Sequence, residues 1–364
     1  MPISAKFDTR INQLSPESIS RILSHIAKID ELKGQWIAGA KLHPQVLGSL
    51  KQSVLITSTG ASTRIEGARL SDEDIEKLMH GISIQKFRDR DVQEVKGYYE
   101  LLVHVFDSWK SLHLNEGLIK SFHKELLKYG DKDVFHMGEY KKKENKVVMI
   151  DEAGQSIGGL FDTTAAHLTP SAMQDLVGWT QSALVKKIQH PLLIIGSFFI
   201  EFLKIHPFED GNGRLSRILT NMLLLQAGYT YIPYVSHEKL IEDNKPDYYM
   251  ALRKSQNTFG TDHESIEAWL SFFLEILLQQ SELAVALITD ERIEKILSKN
   301  QLAVWQYVQS KGETVIGDIV RNTGVSRPTV KQALVKLKDL EKIEMLGVGR
   351  GARYRKIIEL RVLQ

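Results

Sequence analysis

Cysteine is absent from the 364 residues. That absence excludes a disulfide framework, a thiolate zinc site, an iron–sulfur cluster and a cysteine nucleophile. It accords with a reducing compartment. Proline (9) and glycine (25) are sparse as well. A turn-rich all-β fold or a Pro/Gly low-complexity chain would need more of both, so a mainly α protein is expected. The first residues, Met1 to Asp8, lack the apolar run of a signal peptide. The most apolar stretch, Pro191 to Ile205, carries Glu201 and Lys204, and it falls short of the ~20 residues that span a bilayer. It reads as a buried core helix, and the protein is expected to be cytoplasmic. What is present, 43% hydrophobic and 25% charged residues, is the composition of a globular chain that can build sizeable cores. The length suggests two or three domains.

Charge is unevenly placed. The whole chain carries 47 basic and 45 acidic residues, net +2. Residues 291–364 hold 15 basic and 8 acidic residues, net +7, which leaves the remainder at net −5. A basic C-terminal piece on an acidic protein suggests a module that faces nucleic acid.

Apolar periodicity and capping residues outline the elements. Ser15 and Pro16 open a helix over 14–30, and helices follow over 45–66, from Ser71, and over 91–109. Together they form a helical N-terminal block, 1–110. A central domain is expected over 111–290. It contains helices at 113–129, 171–184, 191–204 and 214–227, a β-rich short hairpin or extended loop within 138–150, and long helices over 265–299. Residues 291–364 form the third domain: helix, helix, turn, helix and a basic hairpin, the order of a winged helix-turn-helix. The hairpin turn contains Gly347, Gly349 and Ala352 in a relaxed dinucleotide-binding spacing, but no helix follows, so no cofactor site is assigned there.

One segment concentrates chemistry: His206-Pro207-Phe208-Glu209-Asp210-Gly211-Asn212-Gly213-Arg214-Leu215-Ser216-Arg217. It lies between two apolar helices. Pro207 ends the first, and the Asp-Gly and Asn-Gly pairs form a turn whose amides can cradle an anion. The following helix adds free N–H groups and its positive dipole end. Arg214 and Arg217 supply guanidiniums for phosphate, Asp210 a carboxylate suited to Mg²⁺, and His206 a group suited to proton transfer.

This string resembles the Fic-domain signature HPFx[D/E]GNGRxxR at every fixed position. The resemblance spans roughly residues 110–260. Ser62-Thr63-Arg64-Ile65-Glu66-Gly67 is similar to the [S/T]xxxE[G/N] inhibitory motif of that family. The resemblance implies a Fic-type helical bundle with a β-hairpin flap, acting as a self-inhibited protein adenylyltransferase that moves AMP from ATP to a Ser, Thr or Tyr hydroxyl. It implies His206 as general base and Asp210 as the Mg²⁺ ligand. Gly211, Asn212 and Gly213 would hold the phosphates, Arg214 would neutralise pyrophosphate, and Arg217 would grip the γ-phosphate. Asn244, Tyr248 and Tyr249 are nominated as adenosine contacts. The family's Gly-x-[Phe/Tyr]-Arg at the flap stands here as Gly138-Glu139-Tyr140-Lys141, and a helix histidine of many relatives stands as Phe199. The implied partners are ATP, a hydroxyl-bearing protein target, the protein itself as target, and a second copy, since relatives often dimerise.

Glu66, with Ser62 one turn earlier, is expected to pair with Arg217 and compete with the γ-phosphate. The same glutamate could instead position water, making the chain a de-AMPylase or a bifunctional enzyme. A kinase-like Doc reading is disfavoured because Gly213 is retained. An alternative of another class is a nucleotide-sensing DNA-binding regulator. Its candidates are Arg327, Lys331, Lys336 and Lys338 around the recognition helix, and Arg350, Arg353 and Arg355 on the wing.

Overall fold

Pro191–Ile205 is apolar on every side, and such a helix has to be surrounded by protein. In the computed structural model it is, with Leu192, Ile195, Phe198, Phe199 and Phe202 all buried. The structure describes residues 4–39, 44–81, 89–130, 134–150, 156–289, 297–340, 342–347 and 352–357.

Six helices precede the first strands: α1 (Ser4–Asn12), α2 (Pro16–Gly39), α3 (Pro44–Ile65), α4 (Asp72–Met79), α5 (Asp89–Ser108) and α6 (Glu116–Leu127). Strands β1 (Lys146–Ile150) and β2 (Ser156–Asp162) pair antiparallel, with register shifts at Val147/Val148 and Met149/Ile150. Then come α7 (Thr169–Lys186), α8 (Pro191–Ile205), α9 (Asn212–Gln226), α10 (His237–Asp243), α11 (Lys245–Gln256) and α12 (Glu267–Thr289). The chain finishes with α13 (Lys299–Ser310), α14 (Ile316–Thr323), α15 (Arg327–Asp339), β3 (Ile343–Leu346) and β4 (Arg353–Lys356). The mainly α class is as expected. The hairpin differs from expectation: its strands span 146–162, not 138–150, and before them Lys141 and Asn145 bond to the loop after α8 while residues 142–144 stay exposed.

Two compact units result. One comprises residues 1–34 and 54–281, the other 35–53 and 282–364. In the first, α8 packs against α7 and α9. From α12, Trp269, Leu270, Phe273 and Leu274 join the same core. Helix α12 is long and apolar enough to cross a membrane by composition, and half of its most apolar window is buried. Local signals set the helix ends: Ser71 and Asp74 form a capping box on α4, and Asn115 caps α6.

In the second unit, Val304, Trp305, Val308, Ile319, Val330, Leu334, Leu337 and Ile343 form a separate core. Thr314 bridges Tyr354, adding one pairing to the β3–β4 hairpin. Because α8 is enclosed, truncation of its side chains leaves a cavity. Phe198→Ala is expected to lower stability by about 3–5 kcal/mol, read as a drop in the urea midpoint with the slope unchanged.

Candidate functional site

The loop between α8 and α9 takes its shape from its own residues. His206 sits in the left-handed region (φ 51°, ψ 60°), and its N–H donates to the Phe202 carbonyl. The following proline disfavours a right-handed conformation there, and a left-handed residue closes the helix end. The imidazole Nδ1–H donates to the Leu203 carbonyl at 3.3 Å. That leaves Nε2 as the acceptor nitrogen, and no partner engages it among the described residues. Burial pushes the His206 pKa down to about 4; the Leu203 carbonyl opposes this and the nearby Lys141 charge adds to it. His206 is therefore a neutral base with an open acceptor.

Asp210 accepts from the Gly211 N–H at 2.6 Å and from Arg214 Nη2 at 3.2 Å, and Arg90 from α5 reaches it at 2.8 Å. Burial alone would raise its pKa. Arg214, the Gly211 amide and Arg90 outweigh burial and hold the carboxyl below its usual range. Arg214 is buried, with Nη1 2.9 Å from Glu94. Gly211 adopts φ 77° and caps α9, a conformation that favours glycine.

Asn212 departs from its expected duty. Its buried side-chain amide bonds both backbone groups of Phe208, at 3.0 and 2.9 Å. The amide thus staples the loop, and what remains for a phosphate is the backbone N–H at the helix start. Phe208 in turn stacks on His123, with centroids 3.8 Å apart. His123 Nε2–H donates to the Asp210 carbonyl at 3.1 Å, and Nδ1 accepts from the Gly138 N–H at 2.8 Å. His123 was not among the expected site residues. Its signal is a polar residue on the apolar Ile119–Phe122–Leu126 face of α6.

Glu66 and Ser62 both bond Arg217. Arg217 is fully buried, at 0% exposure. It donates to Ser62 Oγ at 2.8 Å, to the Ser62 carbonyl at 2.9 Å and to Glu66 Oε1 at 2.8 Å. Among the described residues, Nη1 has no hydrogen-bond acceptor. The Glu66 carboxylate also lies against Gly213: a Cβ there would stand 2.2 Å from Oε1. Glu66 therefore covers the N-terminus of α9, whose free N–H groups and positive dipole end suit an anion.

The end of α3 that carries Glu66 is tied down. Arg64 bonds Glu242 at 2.6 Å and Asp72 at 2.9 Å. Lys245 Nζ donates to the Arg64 carbonyl at 3.3 Å, and the Tyr249 hydroxyl donates to the Ile65 carbonyl at 3.2 Å. Tyr248 is buried among Phe199, Trp269 and Phe272, with its phenol toward Arg217. Asn244 donates to the Leu240 carbonyl at 2.9 Å. The stretch nominated for adenosine thus grips the Glu66 segment in this structure.

Asp210 is the loop's candidate carboxylate for a cation and is held here by Arg90 and Arg214; the described residues hold no cluster of three or more His, Asp and Glu side chains that could bind one. One carboxylate plus nucleotide phosphates and water is a donor set that suits Mg²⁺.

In the second unit, Arg327 and Lys331 are exposed on α15, and neither has an ion-pair partner among the described residues. Arg353 pairs with Glu313 at 3.2 Å and Arg355 pairs with Glu344. Lys336 is buried and donates to Ser53 and Gln301, so it is not part of an exposed basic face. Arg350 lies outside the described residues.

Comparison with known proteins follows the geometry. Residues 113–224 match the Fic/DOC family. A probable protein adenylyltransferase of Aquifex aeolicus is 25% identical over 189 residues, covering 50% of this chain and 52% of that protein. Protein adenylyltransferase Fic of Culex quinquefasciatus is 42% identical over 82 residues, 20% of this chain and 16% of its own length. The chain therefore spans about half or less of these relatives. Among solved structures, a Fic family protein from Desulfovibrio desulfuricans superposes with a TM-score of 0.61 at 24% identity, covering 95% of this chain and 98% of that one. A Fic-domain signaling protein from Bacteroides thetaiotaomicron gives 0.60 at 23%, covering 75% and 99%. The fold is that of the Fic proteins.

Burial holds His123, His206 and His237 each to about 4 in the folded chain, against an ordinary 6.5. The unfolded chain binds more protons between those values. Stability is then fully present above about 6.5 and is lost as pH falls toward about 4. The urea midpoint is expected to fall steadily from pH 6.5 to 4.5, by about 1.4 kcal/mol per unit for each histidine kept neutral. A flat midpoint over that window would contradict it.

Proposed function

We propose that this chain, whose residues 113–224 form a Fic/DOC-family domain, transfers AMP from ATP to a hydroxyl of a protein target and is restrained by its own Glu66. The observation that carries the reading is the neutral His206, with Nε2 open, on the same loop as the buried Arg214 and Arg217 of α9.

His206 Nε2 would take the proton from a Ser, Thr or Tyr hydroxyl. The oxygen attacks the α-phosphorus, an O–P bond forms, and pyrophosphate leaves with the electrons of the broken α–β bridge. Arg214 and Arg217, with the first N–H groups of α9, would hold the phosphates and offset the charge that builds up on pyrophosphate. Asp210 would hold Mg²⁺, which when bound neutralises phosphate charge; Arg90, now on Asp210, would have to yield. Positioning and charge neutralisation account for such a reaction without a covalent enzyme intermediate.

Glu66 opposes this by holding Arg217 and by covering Gly213. A γ-phosphate and the Glu66 carboxylate would claim the same guanidinium. Removing Glu66 is expected to raise transfer by about 10–100-fold, the worth of one charge-assisted hydrogen bond. Removing His206 is expected to lower it by about 10²–10⁴-fold. The test uses Mg²⁺ with ATP labelled on either the α- or the γ-phosphate. Wild type, Glu66→Gly and His206→Ala are incubated alone, to detect self-modification, and with lysate proteins. Label from the α-position only, strongest in Glu66→Gly, is expected; γ-label would point to kinase chemistry instead.

Two further readings each rest on one observation. The Glu66 side chain is 34% exposed, and only its Oε1 is bonded to Arg217, so Oε2 could orient water for removal of AMP from a modified target. The second unit reads as a winged helix-turn-helix. Exposed Arg327 and Lys331 on α15 favour duplex DNA as its ligand. Binding that weakens steeply with salt is expected, with the slope reduced by about one for each of Arg327→Ala and Lys331→Ala. Absence of binding at low salt would refute the DNA reading.

A further inference from the structure

Four successive carbonyls around His206 are captured by two residues of the segment before β1. Lys141 Nζ donates to the Ile205 carbonyl at 3.1 Å, and the Lys141 backbone N–H donates to the Pro207 carbonyl at 2.8 Å. Asn145 Nδ2 donates to the His206 carbonyl at 3.4 Å and to the Phe208 carbonyl at 2.9 Å. The clamp is itself fixed. Lys141 Nζ donates to Asn145 Oδ1 at 2.8 Å and to Thr163 Oγ1 at 3.0 Å, while the Thr163 hydroxyl lies 2.7 Å from the same Oδ1. With Oδ1 accepting from Lys141, Nδ2 has to face the loop.

The arrangement is costly in isolation. Lys141 is 3% exposed, and no carboxylate bonds to it among the described residues. Its three N–H groups meet three neutral oxygens, a full match for an ammonium. A buried cation bonded only to neutral oxygens, with Glu144 acting on it through charge alone, is destabilising unless it serves something. What it serves is next to it: His206 is held in the left-handed region, a conformation that persists in a non-glycine residue only where its surroundings over-determine it.

We propose that Lys141 and Asn145 are positioning residues that lock the backbone of residues 205–208, so that His206 keeps its Nδ1–H on the Leu203 carbonyl and its Nε2 aimed at the reacting hydroxyl. Their part in a reaction rests on the AMP-transfer reading; the locking of His206 does not. Neither residue touches nucleotide in this scheme. The charged groups that face His206 are Lys141, Glu66 and Asp210. Removing Lys141 therefore also removes the cation that discourages protonation of the ring.

The test has two independent readouts on the full chain. The first is the tautomer of His206 by nitrogen NMR on histidine-labelled protein at neutral pH, with no nucleotide or metal. The wild type is expected as one Nδ1–H tautomer, and Lys141→Met and Asn145→Leu as mixtures. The second is AMP transfer in the Glu66→Gly background. There each clamp variant is expected to lose about 10–100-fold in kcat, the scale of a misplaced catalytic group, with KM for ATP within about twofold. A folded Lys141→Met protein with an unchanged tautomer and unchanged kcat would overturn the proposal. If Lys141→Met does not fold, Asn145→Leu decides by the same criteria. If the Glu66→Gly protein transfers no AMP, the functional reading falls, and the tautomer alone decides the clamp.

Discussion

A guanidinium with no contact with solvent stands at the centre of this site. Buried charge is tolerated only when paired and hydrogen-bonded. Arg217 meets that demand with Ser62 and Glu66 of the α3 end. Removing a partner would leave an uncompensated cation unless another anion arrived. The same physics makes a phosphate the natural replacement for Glu66, since it can satisfy the guanidinium and the N-terminus of α9 together. In the proposed reading, arrest and ligand recognition would be two occupancies of one electrostatic hole.

Around that cation the loop is over-determined. Asn212 closes it from within, His123 supports it from α6, and Lys141 and Asn145 hold its carbonyls from the segment before β1. Each contact satisfies a backbone group that the sharp turn between α8 and α9 would otherwise leave unpaired. The histidines stay neutral because the cage excludes water. A loop built in this way can hold a base still while the chemistry above it changes partners. The Glu66 segment is held differently, by Arg64, Lys245 and Tyr249 on half-buried contacts. Such contacts can open at lower cost than the core beneath them.

Much of this was legible in the residues. The α8–α9 hairpin and its turn followed from apolar runs broken by proline and glycine. The Ser62–Glu66 spacing places both residues on one side of the α3 end, one helical turn apart. Other roles were not legible. The family resemblance implies Asn212 as a phosphate-holding residue, and its side-chain amide is engaged by Phe208. Tyr248 and Tyr249 are nominated for adenosine through the family resemblance, and in the structure one is core and the other bonds the α3 end. A side chain's partner at long sequence separation leaves no periodic trace.

The sequence by itself determined the helices, the position of the catalytic-type loop, and the basic character of the last 74 residues, because capping, periodicity and charge are local properties. Only the tertiary structure decided that Glu66 sits on Gly213, that Arg90 occupies Asp210, that Lys336 is inside its unit, and that Lys141 is buried beneath His206. Those facts depend on which distant surfaces meet and how far they exclude water, and the energy of a buried charge is set by that meeting.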